Sequence, residues 1–360
     1  MGFISSRARL WGFIAGVLAA ALLTWLYSSK ISTTRVALIN YQGFQAAKFI
    51  DAVGDSRVSV EVLPLSELNK AGAFDVALIF GRGLSLDAEQ IAGLKRAGES
   101  GTALYVEAAG DPRQDLTNLS SADAGEVARY LANGGMINYR NLLRYLRAEV
   151  DGKAFVATPA QEPLGIDSDV LFHLDESQVF SSVEAFSNYY TGLPGYPGDG
   201  KKIALLTSVP GPFNANRDHL NGLISTLEAR GWRVYPIASR MRRLQLLQEI
   251  APDLVLMMPH GRLHLGNQEE AIDWLKQANI PLLAPLSVFD EHSVWKRDPQ
   301  GFSGPLLTMN VMLPELDGAT TPYVINALFE NERGLKVFDS IPERTEQFAD
   351  LIQRIFHLRD

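Results

Sequence analysis

The sequence predicts an α/β protein with one membrane helix near its N-terminus, and three observations support this prediction. Short apolar segments typical of buried strands alternate with amphipathic segments typical of helices along most of the chain. A run of apolar residues over 10–27 precedes them, and a Gly/Pro-rich stretch over 192–200 divides them. Because alternating strands and helices form parallel sheets covered on both faces, we expect two doubly wound, Rossmann-like lobes after the helix.

The apolar run, residues 10–27, is long enough to cross a membrane. As a helix it would reach about 27 Å, close to the roughly 30 Å of a bilayer's hydrocarbon core. Trp11, Trp25 and Tyr27 stand at its ends, where aromatic rings favour the headgroup region. A cleaved signal peptide is the alternative, but Trp25 and Tyr27 do not fit the small residues of a cleavage site. We therefore predict an uncleaved anchor over residues 1–34.

The charges around the apolar run predict its orientation. Arg7 and Arg9 precede it together with the terminal amine, whereas Lys30 and Arg35 follow it. The positive-inside rule then places the N-terminus in the cytoplasm. The chain has no cysteine, which suits an oxidising compartment. We therefore expect a single-pass protein of the inner membrane whose body, residues 36–360, lies in the periplasm.

The composition excludes several classes of function. Without cysteine there is no disulfide, no cysteine nucleophile and no Cys-based zinc or iron–sulfur site. Residues 36–360 carry a net charge of −12, because the total of −8 includes four cations and no acid in residues 1–35. So acidic a body argues against a nucleic-acid partner. No GxxxxGKS or GxxxxGKT motif occurs, and Gly81-Arg82-Gly83 lacks the third glycine of a dinucleotide site, so we expect no nucleotide site.

The first lobe is predicted over residues 35–150. Its apolar segments indicate four parallel strands, at 35–41, 58–63, 75–80 and 102–108. A helical extension follows, in which one helix ends at Gly134-Gly135 and the next carries an apolar stripe that includes Leu142 and Leu146. Residues 151–200 are irregular and are predicted to link this lobe to the second.

The second lobe is predicted over residues 201–360. Strands are expected at 202–208, 232–237, 253–258, 280–286, 308–313 and 323–329. Helices are expected at 215–230, 239–250 and 268–278, and an amphipathic helix over 342–358 follows the last strand.

The segment PHGRLHLG, residues 259–266, is a candidate ligand site because it directly follows a predicted strand. In open α/β sheets, ligands bind beyond the carboxyl ends of strands. His260 and His264 are candidate ligands of a metal ion or of an iron held in a porphyrin. Arg262 is a candidate partner for a carboxylate. The alternative is a solvated loop in which these side chains have no ligand.

Two charged clusters have an ordinary surface interpretation. The cations Arg240, Arg242 and Arg243 lie on a predicted helix and are taken as a solvated face, with the carboxylates of a tetrapyrrole as the alternative partner. A second cluster is taken as a solvated loop, with a metal site as the alternative; it comprises Asp167, Asp169, His173, Asp175 and Glu176.

Two longer stretches carry a more specific signal. ANGGMINYRNLLRYL, residues 132–146, and the passage from WKRDPQGFSGP to NVMLPELDGA, residues 295–319, resemble signature regions of the CobN-like cobaltochelatase large-subunit family, which is related to the magnesium-chelatase large subunit. The segments GKKIALL, LEARGWRVYPI, APDLVLM, IPLLAPL and PELDG also follow in the family's order. The resemblance covers most of residues 36–360 and implies the N-terminal portion of such a subunit.

The resemblance implies a ligase chemistry that forms nitrogen–metal bonds. Members insert a divalent metal, cobalt in the CobN-like group, into a tetrapyrrole with the help of ATP-hydrolysing partner subunits, and some relatives are thought to remove metal from haem instead. The implied substrates are a corrinoid or haem together with cobalt or iron. The implied partners are the remaining chelatase domains or subunits and an uptake or energy-transducing membrane complex. The chain itself is expected to contact the inner membrane through residues 10–27.

The resemblance also implies site residues at the positions that match. Asn138, Arg140 and Asn141 are expected to bind ligand, and Glu315 and Asp317 are expected to be catalytic. The alternative is that these polar groups cap backbone turns. A different function also remains open, namely a non-enzymatic module that clamps a tetrapyrrole or a metal between two α/β lobes by hinge closure.

Overall fold

The computed structural model describes residues 6–54, 56–166, 169–207, 211–258, 261–264 and 266–360. Its contacts divide the chain into two compact units. The first comprises the chain up to Tyr41, Phe49–Ala132 and Asn138–Pro163, and the second comprises Gln42–Lys48, Asn133–Ile137 and Leu164–Asp360. Each unit contains one β-sheet packed against helices, so the predicted α/β class is confirmed.

The N-terminal element of the first unit is a long apolar helix. Helix α1 spans Ser6–Leu26 and continues into a π-helical turn, Tyr27–Ile31. The 19 residues Phe13–Ile31 have a mean hydropathy of 1.5 and no part of that window is buried in the protein. By length and composition this helix can cross a membrane.

One buried arginine ties the end of this helical segment to the first unit. The Arg147 side chain is inaccessible to solvent. Its Nη1 donates to the main-chain oxygens of Ser32 (2.8 Å) and Arg57 (3.2 Å) and to Thr34 Oγ1 (3.1 Å), and its Nη2 donates to Ile31 O (3.2 Å). The chain that leaves the helix is therefore held through its backbone.

The first sheet has four parallel strands in the order β2-β1-β3-β4. They are β1 (Thr34–Ile39), β2 (Val58–Leu63), β3 (Val76–Phe80) and β4 (Ala103–Glu107). All four coincide with predicted strands. Their apolar runs are continuous because parallel strands in such sheets are buried on both faces.

Helices surround this sheet or complete the first unit. One face packs against a 3₁₀ helix (Leu65–Ala73) and α3 (Ala88–Glu99), which bury Leu68 and Leu94 beside Ile39 and Ile79. Asp87 and Gln90 form a capping box that begins α3. The helices α4 (Ser121–Asn133) and α5 (Gly135–Tyr145) and a π-helical turn (Leu146–Val150) lie mainly in the first unit, whereas α2 (Gly43–Asp51) lies mainly in the second.

The second sheet has eight strands in the order β12-β11-β10-β9-β7-β8-β5-β6. They are β5 (Val170–Phe172), β6 (Val179–Phe180), β7 (Lys202–Thr207), β8 (Arg233–Ala238), β9 (Leu254–Met257), β10 (Leu282–Glu291), β11 (Thr320–Glu330) and β12 (Lys336–Ser340). The predicted strands at 202–208, 232–237, 253–258, 280–286 and 323–329 are confirmed.

This sheet is mixed, so the prediction of a parallel second sheet is confirmed for its central strands and not for its edges. The central strands from β11 to β8 are parallel, but β12, β5 and β6 each pair antiparallel with their neighbours. A tight turn at Asn331 and Gly334 joins β11 to β12, and so short a connection permits only an antiparallel pair. Strands β5 and β6 lie before residue 201, so the sheet extends N-terminal to the predicted start of the second lobe.

Helices cover both faces of the second sheet. Helices α6 (Val183–Thr191), α8 (Arg243–Ile250) and α9 (Gln268–Gln277) contribute to the core on one face, and α7 (Asp218–Ala229) and α13 (Pro342–Arg359) contribute to the core on the other. The Gly/Pro-rich stretch 192–200 connects α6 to β7 within this unit.

The segment predicted as a strand over 308–313 is helical. Helix α10 (His292–Trp295) is followed by α11 (Gly304–Leu307), a π-helical turn (Thr308–Met312) and α12 (Leu313–Leu316). Pro305 and Pro314 occupy the first turns of α11 and α12, where proline's fixed φ favours a helix. Asn310 is buried whereas Met309 and Met312 are exposed, a spacing that a helix accommodates.

Candidate functional site

The candidate ligand segment lies in the loop between β9 and α9 of the second unit. Gly261, Arg262, Leu263 and His264 are described, whereas His260 lies outside the described residues. Leu263 is inaccessible to solvent and belongs to the core. The described part of this β9–α9 loop is therefore packed against the protein rather than freely solvated.

Asp317 holds this loop. Its Oδ1 accepts a hydrogen bond from Arg262 Nε (2.6 Å) and forms an ion pair with Arg262 Nη2 (2.6 Å), and its Oδ2 accepts a hydrogen bond from the Leu263 main-chain N–H. The Asp317 side chain is only 1% exposed and the Arg262 side chain is 25% exposed. The structure thus brings together two predicted site residues, and their pairing joins the β9–α9 loop to the PELDG segment.

The PELDG segment, residues 314–318, is a helix end that presents Asp317. Pro314 lies in the first turn of α12, and Gly318 has a φ of +88°. Gly318 N donates to Glu315 O (2.9 Å) and Ala319 N donates to Pro314 O (3.0 Å). A left-handed glycine that closes a helix is a common C-terminal motif. Glu315 is exposed at this end, so its carboxylate remains accessible.

A buried arginine supports the β9–α9 loop from α8. Arg243 Nε donates to Ser239 O (2.7 Å), and its Nη1 donates to Arg262 O (3.0 Å) and Leu263 O (3.4 Å). Burial lowers the pKa of Arg243, and the neighbouring Arg240 contributes to that decrease. Arg243 was expected to lie on a solvated face, and that prediction is wrong because its side chain is buried.

Asp169 in turn fixes the start of α8. Its Oδ1 accepts hydrogen bonds from Ser239 Oγ and from the main-chain N–H groups of Arg240 (2.9 Å), Met241 (3.0 Å) and Arg242 (3.1 Å). Three successive N–H groups aimed at one oxygen form an anion-binding nest. Asp169 is therefore a buried cap rather than a residue of a solvated loop, while its predicted neighbour Asp167 lies outside the described residues.

His264 is held by the start of α9. Its Nδ1 accepts hydrogen bonds from Gly266 N (3.0 Å) and Asn267 N (2.8 Å). An imidazole nitrogen that accepts two N–H groups carries no proton, so the neutral ring carries its proton on Nε2. In this arrangement the unprotonated nitrogen, through which a neutral imidazole binds a metal, is occupied by two main-chain donors. The role of His264 as a metal ligand stays a prediction.

The Asn-Gly-Gly turn before α5 requires its first glycine. Gly134 has a φ of +62°, and a Cβ at this position would lie 2.0 Å from Asn214 Oδ1. Gly135 N donates to Phe213 O (2.7 Å), and Asn133 Oδ1 accepts from Ile166 N (3.0 Å). This part of the family signature therefore serves a close backbone approach within the second unit.

The remaining predicted ligand residues lie on α5 in the first unit. Asn138 and Asn141 are buried, and Asn141 Oδ1 accepts from Gln161 N (3.1 Å). Arg140 is half-buried, and its Nε has no hydrogen-bond partner among the described residues. No three His, Asp or Glu side chains converge on a metal position in the part of the chain that the structure describes.

Comparison with known proteins identifies the chain's relatives. A CobN/Magnesium Chelatase family model matches residues 128–360. The aerobic cobaltochelatase subunit CobN of Pseudomonas aeruginosa is 25% identical over 284 residues, which are 74% of this chain and 22% of that protein. An uncharacterized protein of Methanocaldococcus jannaschii is 24% identical over 260 residues, covering 65% of this chain and 20% of that protein. The chain thus spans about a fifth of the length of these relatives.

A solved structure agrees on the fold. The catalytic subunit of cobaltochelatase from Mycobacterium tuberculosis superposes with a TM-score of 0.60 and 20% identity, covering 88% of this chain and 26% of that one. The family match includes the Asn-Gly-Gly turn, the β9–α9 loop and the PELDG segment. The resemblance stated from the sequence is therefore confirmed, and the chain belongs to the CobN/magnesium chelatase family.

Proposed function

We propose that this chain is the N-terminal, tetrapyrrole-binding portion of a membrane-anchored, CobN-like metal chelatase. The observation that carries the proposal is the family match over residues 128–360. Two matched segments, the β9–α9 loop and PELDG, are joined by the Arg262–Asp317 pair. The remaining chelatase domains or subunits would complete the active cavity and supply energy from ATP.

The proposed reaction is insertion of cobalt into a corrin ring. Both the P. aeruginosa relative and the M. tuberculosis structure are named as cobaltochelatase subunits, which favours cobalt over iron as the metal substrate. Insertion replaces ring N–H protons with metal, so a nearby base is required. Glu315 is the candidate base at this site because its carboxylate is exposed.

Arg262 is the proposed contact for a carboxylate of the tetrapyrrole. Its Nε and Nη2 are engaged by Asp317, while its Nη1 has no partner among the described residues. Asp317 is therefore better placed to position Arg262 than to meet the substrate itself. In the first unit, Asn138, Arg140 and Asn141 on α5 stay separate candidates for ligand binding.

The anchor proposal rests on α1 and the turn that follows it. These elements are apolar and exposed, and Arg147 holds their end by its backbone. We propose a single pass through the inner membrane with the body in the periplasm, as the flanking cations suggest. A periplasm-active reporter fused after residue 60 tests this orientation, and activity of a cytoplasmic reporter there would reverse it.

Titration of the full chain tests tetrapyrrole binding. In a non-ionic detergent we expect cobyrinic acid to bind with a change in its absorption bands, and its heptamethyl ester to bind at least ten-fold more weakly because it lacks carboxylates. Arg262→Ala should weaken the binding of cobyrinic acid by roughly 10- to 100-fold, which is the range expected for the loss of a charge-assisted hydrogen bond. Haemin and its dimethyl ester provide the same comparison for a porphyrin.

Two further variants test the histidines. His260→Ala combined with His264→Ala should alter the absorption bands of the bound ligand if either imidazole binds the metal, whereas His357→Ala, at an exposed position on α13, should not. Equal affinity for acid and ester, together with no effect of Arg262→Ala, would overturn the proposed site. An unchanged spectrum in the double histidine variant would remove the histidines from it.

A further inference from the structure

A cavity lies in the second unit, apart from the β9–α9 loop. Its volume is about 290 Å³, close to the lower limit of small-ligand pockets. The residues that define its character are His173, Asp175, Tyr189, Tyr190, Tyr196 and Glu228. None of the described residues that line it is a lysine or an arginine.

Aromatic rings form several walls of this cavity. The rings of Tyr190 and Tyr196 meet at 82° with centroids 5.1 Å apart, and the rings of His173 and Tyr189 meet at 67° with centroids 6.4 Å apart. The negative faces of such rings attract cations.

Glu228 supplies a fixed carboxylate. Its Oε1 accepts hydrogen bonds from His173 Nε2 (2.8 Å) and from the Tyr190 hydroxyl, and its side chain is 16% exposed. Both bonds engage the same oxygen, so Oε2 has no hydrogen-bond partner among the described residues. The Tyr190 hydroxyl also accepts from Val234 N (3.0 Å), which fixes the ring to the sheet.

Asp175 adds a second negative charge at the exposed side. Ser177 donates to its Oδ1 from both the hydroxyl (2.7 Å) and the main-chain N–H (2.8 Å), and these bonds lower the pKa of Asp175. Burial and Asp175 raise the pKa of Tyr189, and burial and Glu228 raise that of Tyr190. At neutral pH Tyr189 and Tyr190 are therefore protonated, and Asp175 carries a negative charge.

We propose that this cavity binds an organic ammonium cation, with Tyr196 facing the cation and Glu228 balancing its charge. Aromatic walls with an adjacent carboxylate suit a quaternary or protonated amine, and the volume suits a small molecule or a single side chain. The carboxylates of a tetrapyrrole would be repelled here, so this site is independent of the proposed chelatase site.

Choline and its neutral carbon isostere, 3,3-dimethylbutan-1-ol, test the proposal. The full chain in a maltoside detergent, which has no ammonium group, is titrated with each by calorimetry at low ionic strength. Choline should bind at least ten-fold more tightly than the alcohol. Tyr196→Leu, which keeps apolar bulk but removes the ring, should weaken the binding of choline by about 3- to 30-fold.

Matched variants separate this effect from a general loss of structure. Tyr323→Leu removes a ring elsewhere in the second unit and should leave choline binding unchanged. Glu228→Gln should weaken binding by a similar factor, and Asp175→Asn replaces it as the test if circular dichroism shows that Glu228→Gln does not fold. Equal binding of choline and the alcohol, undetectable choline binding, or wild-type affinity in Tyr196→Leu would each overturn the proposal.

Discussion

Two irregular segments of the molecule are each held by one buried charged side chain, and they differ in the sign of that charge and in its partners. In the first unit, Arg147 holds Ile31 and Ser32 through neutral oxygens. In the second unit, Asp317 holds the β9–α9 loop through a main-chain N–H and the cation of Arg262. The first is a buried cation among carbonyls, and the second is a buried anion with a partly exposed counterion.

The two contacts differ in what each substitution would leave without a partner. A buried charge without its partners carries the cost of desolvation, whereas a partly exposed partner can return to water at little cost. Burial lowers the pKa of Arg147, and the neighbouring Asp151 opposes that decrease. We therefore expect the largest losses of stability where a substitution leaves a buried polar or charged group without its partners.

Removing Arg147 should have the largest effect. Arg147→Ala leaves the carbonyls of Ile31, Ser32 and Arg57 without this donor, and we expect a loss of about 3–5 kcal/mol in the free energy of unfolding. Urea unfolding of the full chain in detergent measures it, and limited proteolysis should show new cleavage near residues 31–34. Arg96→Ala, at an exposed position on α3, is the control. A loss below about 1 kcal/mol would contradict the buried-cation argument.

Removing Asp317 should have the next largest effect. Asp317→Ala leaves the buried Leu263 N–H and the Arg262 guanidinium without their acceptor, so we expect a loss of about 2–4 kcal/mol and faster amide hydrogen exchange at Leu263. Arg262→Ala leaves the buried Asp317 carboxylate without its counterion, so we expect a loss of similar size, but with little change in exchange at Leu263 because its N–H keeps its acceptor. Unchanged amide exchange at Leu263 in Asp317→Ala would show that the carboxylate does not hold the loop.

The sequence predicts regular, strongly apolar elements well. Strands β1 to β4 and the central strands of the second sheet were all expected, because continuous apolar runs are typical of parallel strands. Strands β5 and β6 have three and two residues, too few to show a period, so the mixed second sheet was missed. The segment 308–313 alternates like a strand, but the helix-starting prolines Pro305 and Pro314 decide its structure.

The candidate site was predicted only in part. Arg262 and Asp317 were both named from the sequence, but their pairing joins positions 55 residues apart, which local pattern does not show. Arg147 and Arg243 were not expected to be buried, because cations are usually found at the surface. A signal did exist for Arg243, which shares a helical face with Leu246, Leu247 and Ile250; a cation on an apolar stripe indicates a buried connector.

A third buried group, the ring of His219, sharpens the comparison. Both of its ring nitrogens are buried and unpartnered among the described residues, and its ring packs 5.3 Å from that of Phe338. Burial, with a smaller contribution from Arg217, lowers the pKa of His219 from 6.5 to about 3. Arg147 keeps its charge because oxygens accept hydrogen bonds from its guanidinium. His219 stays neutral because no described group accepts a hydrogen bond from its ring.

Because His219 stays neutral when buried, the free energy of unfolding should depend on pH, with an effect smaller than those of the two substitutions above. Between pH 6.5 and 3 the unfolded chain binds a proton at His219 that the folded chain does not bind, so stability is full above pH 6.5 and falls as the pH decreases. The loss reaches about 2 kcal/mol at pH 5, at about 1.4 kcal/mol for each pH unit. His219→Leu removes this contribution, so the stability difference between wild type and variant should shift by that amount from pH 7 to pH 5. His357→Leu, at an exposed position on α13, should follow the wild-type pH profile. A pH profile in His219→Leu that is parallel to wild type would show that His219 takes up a proton in the folded protein.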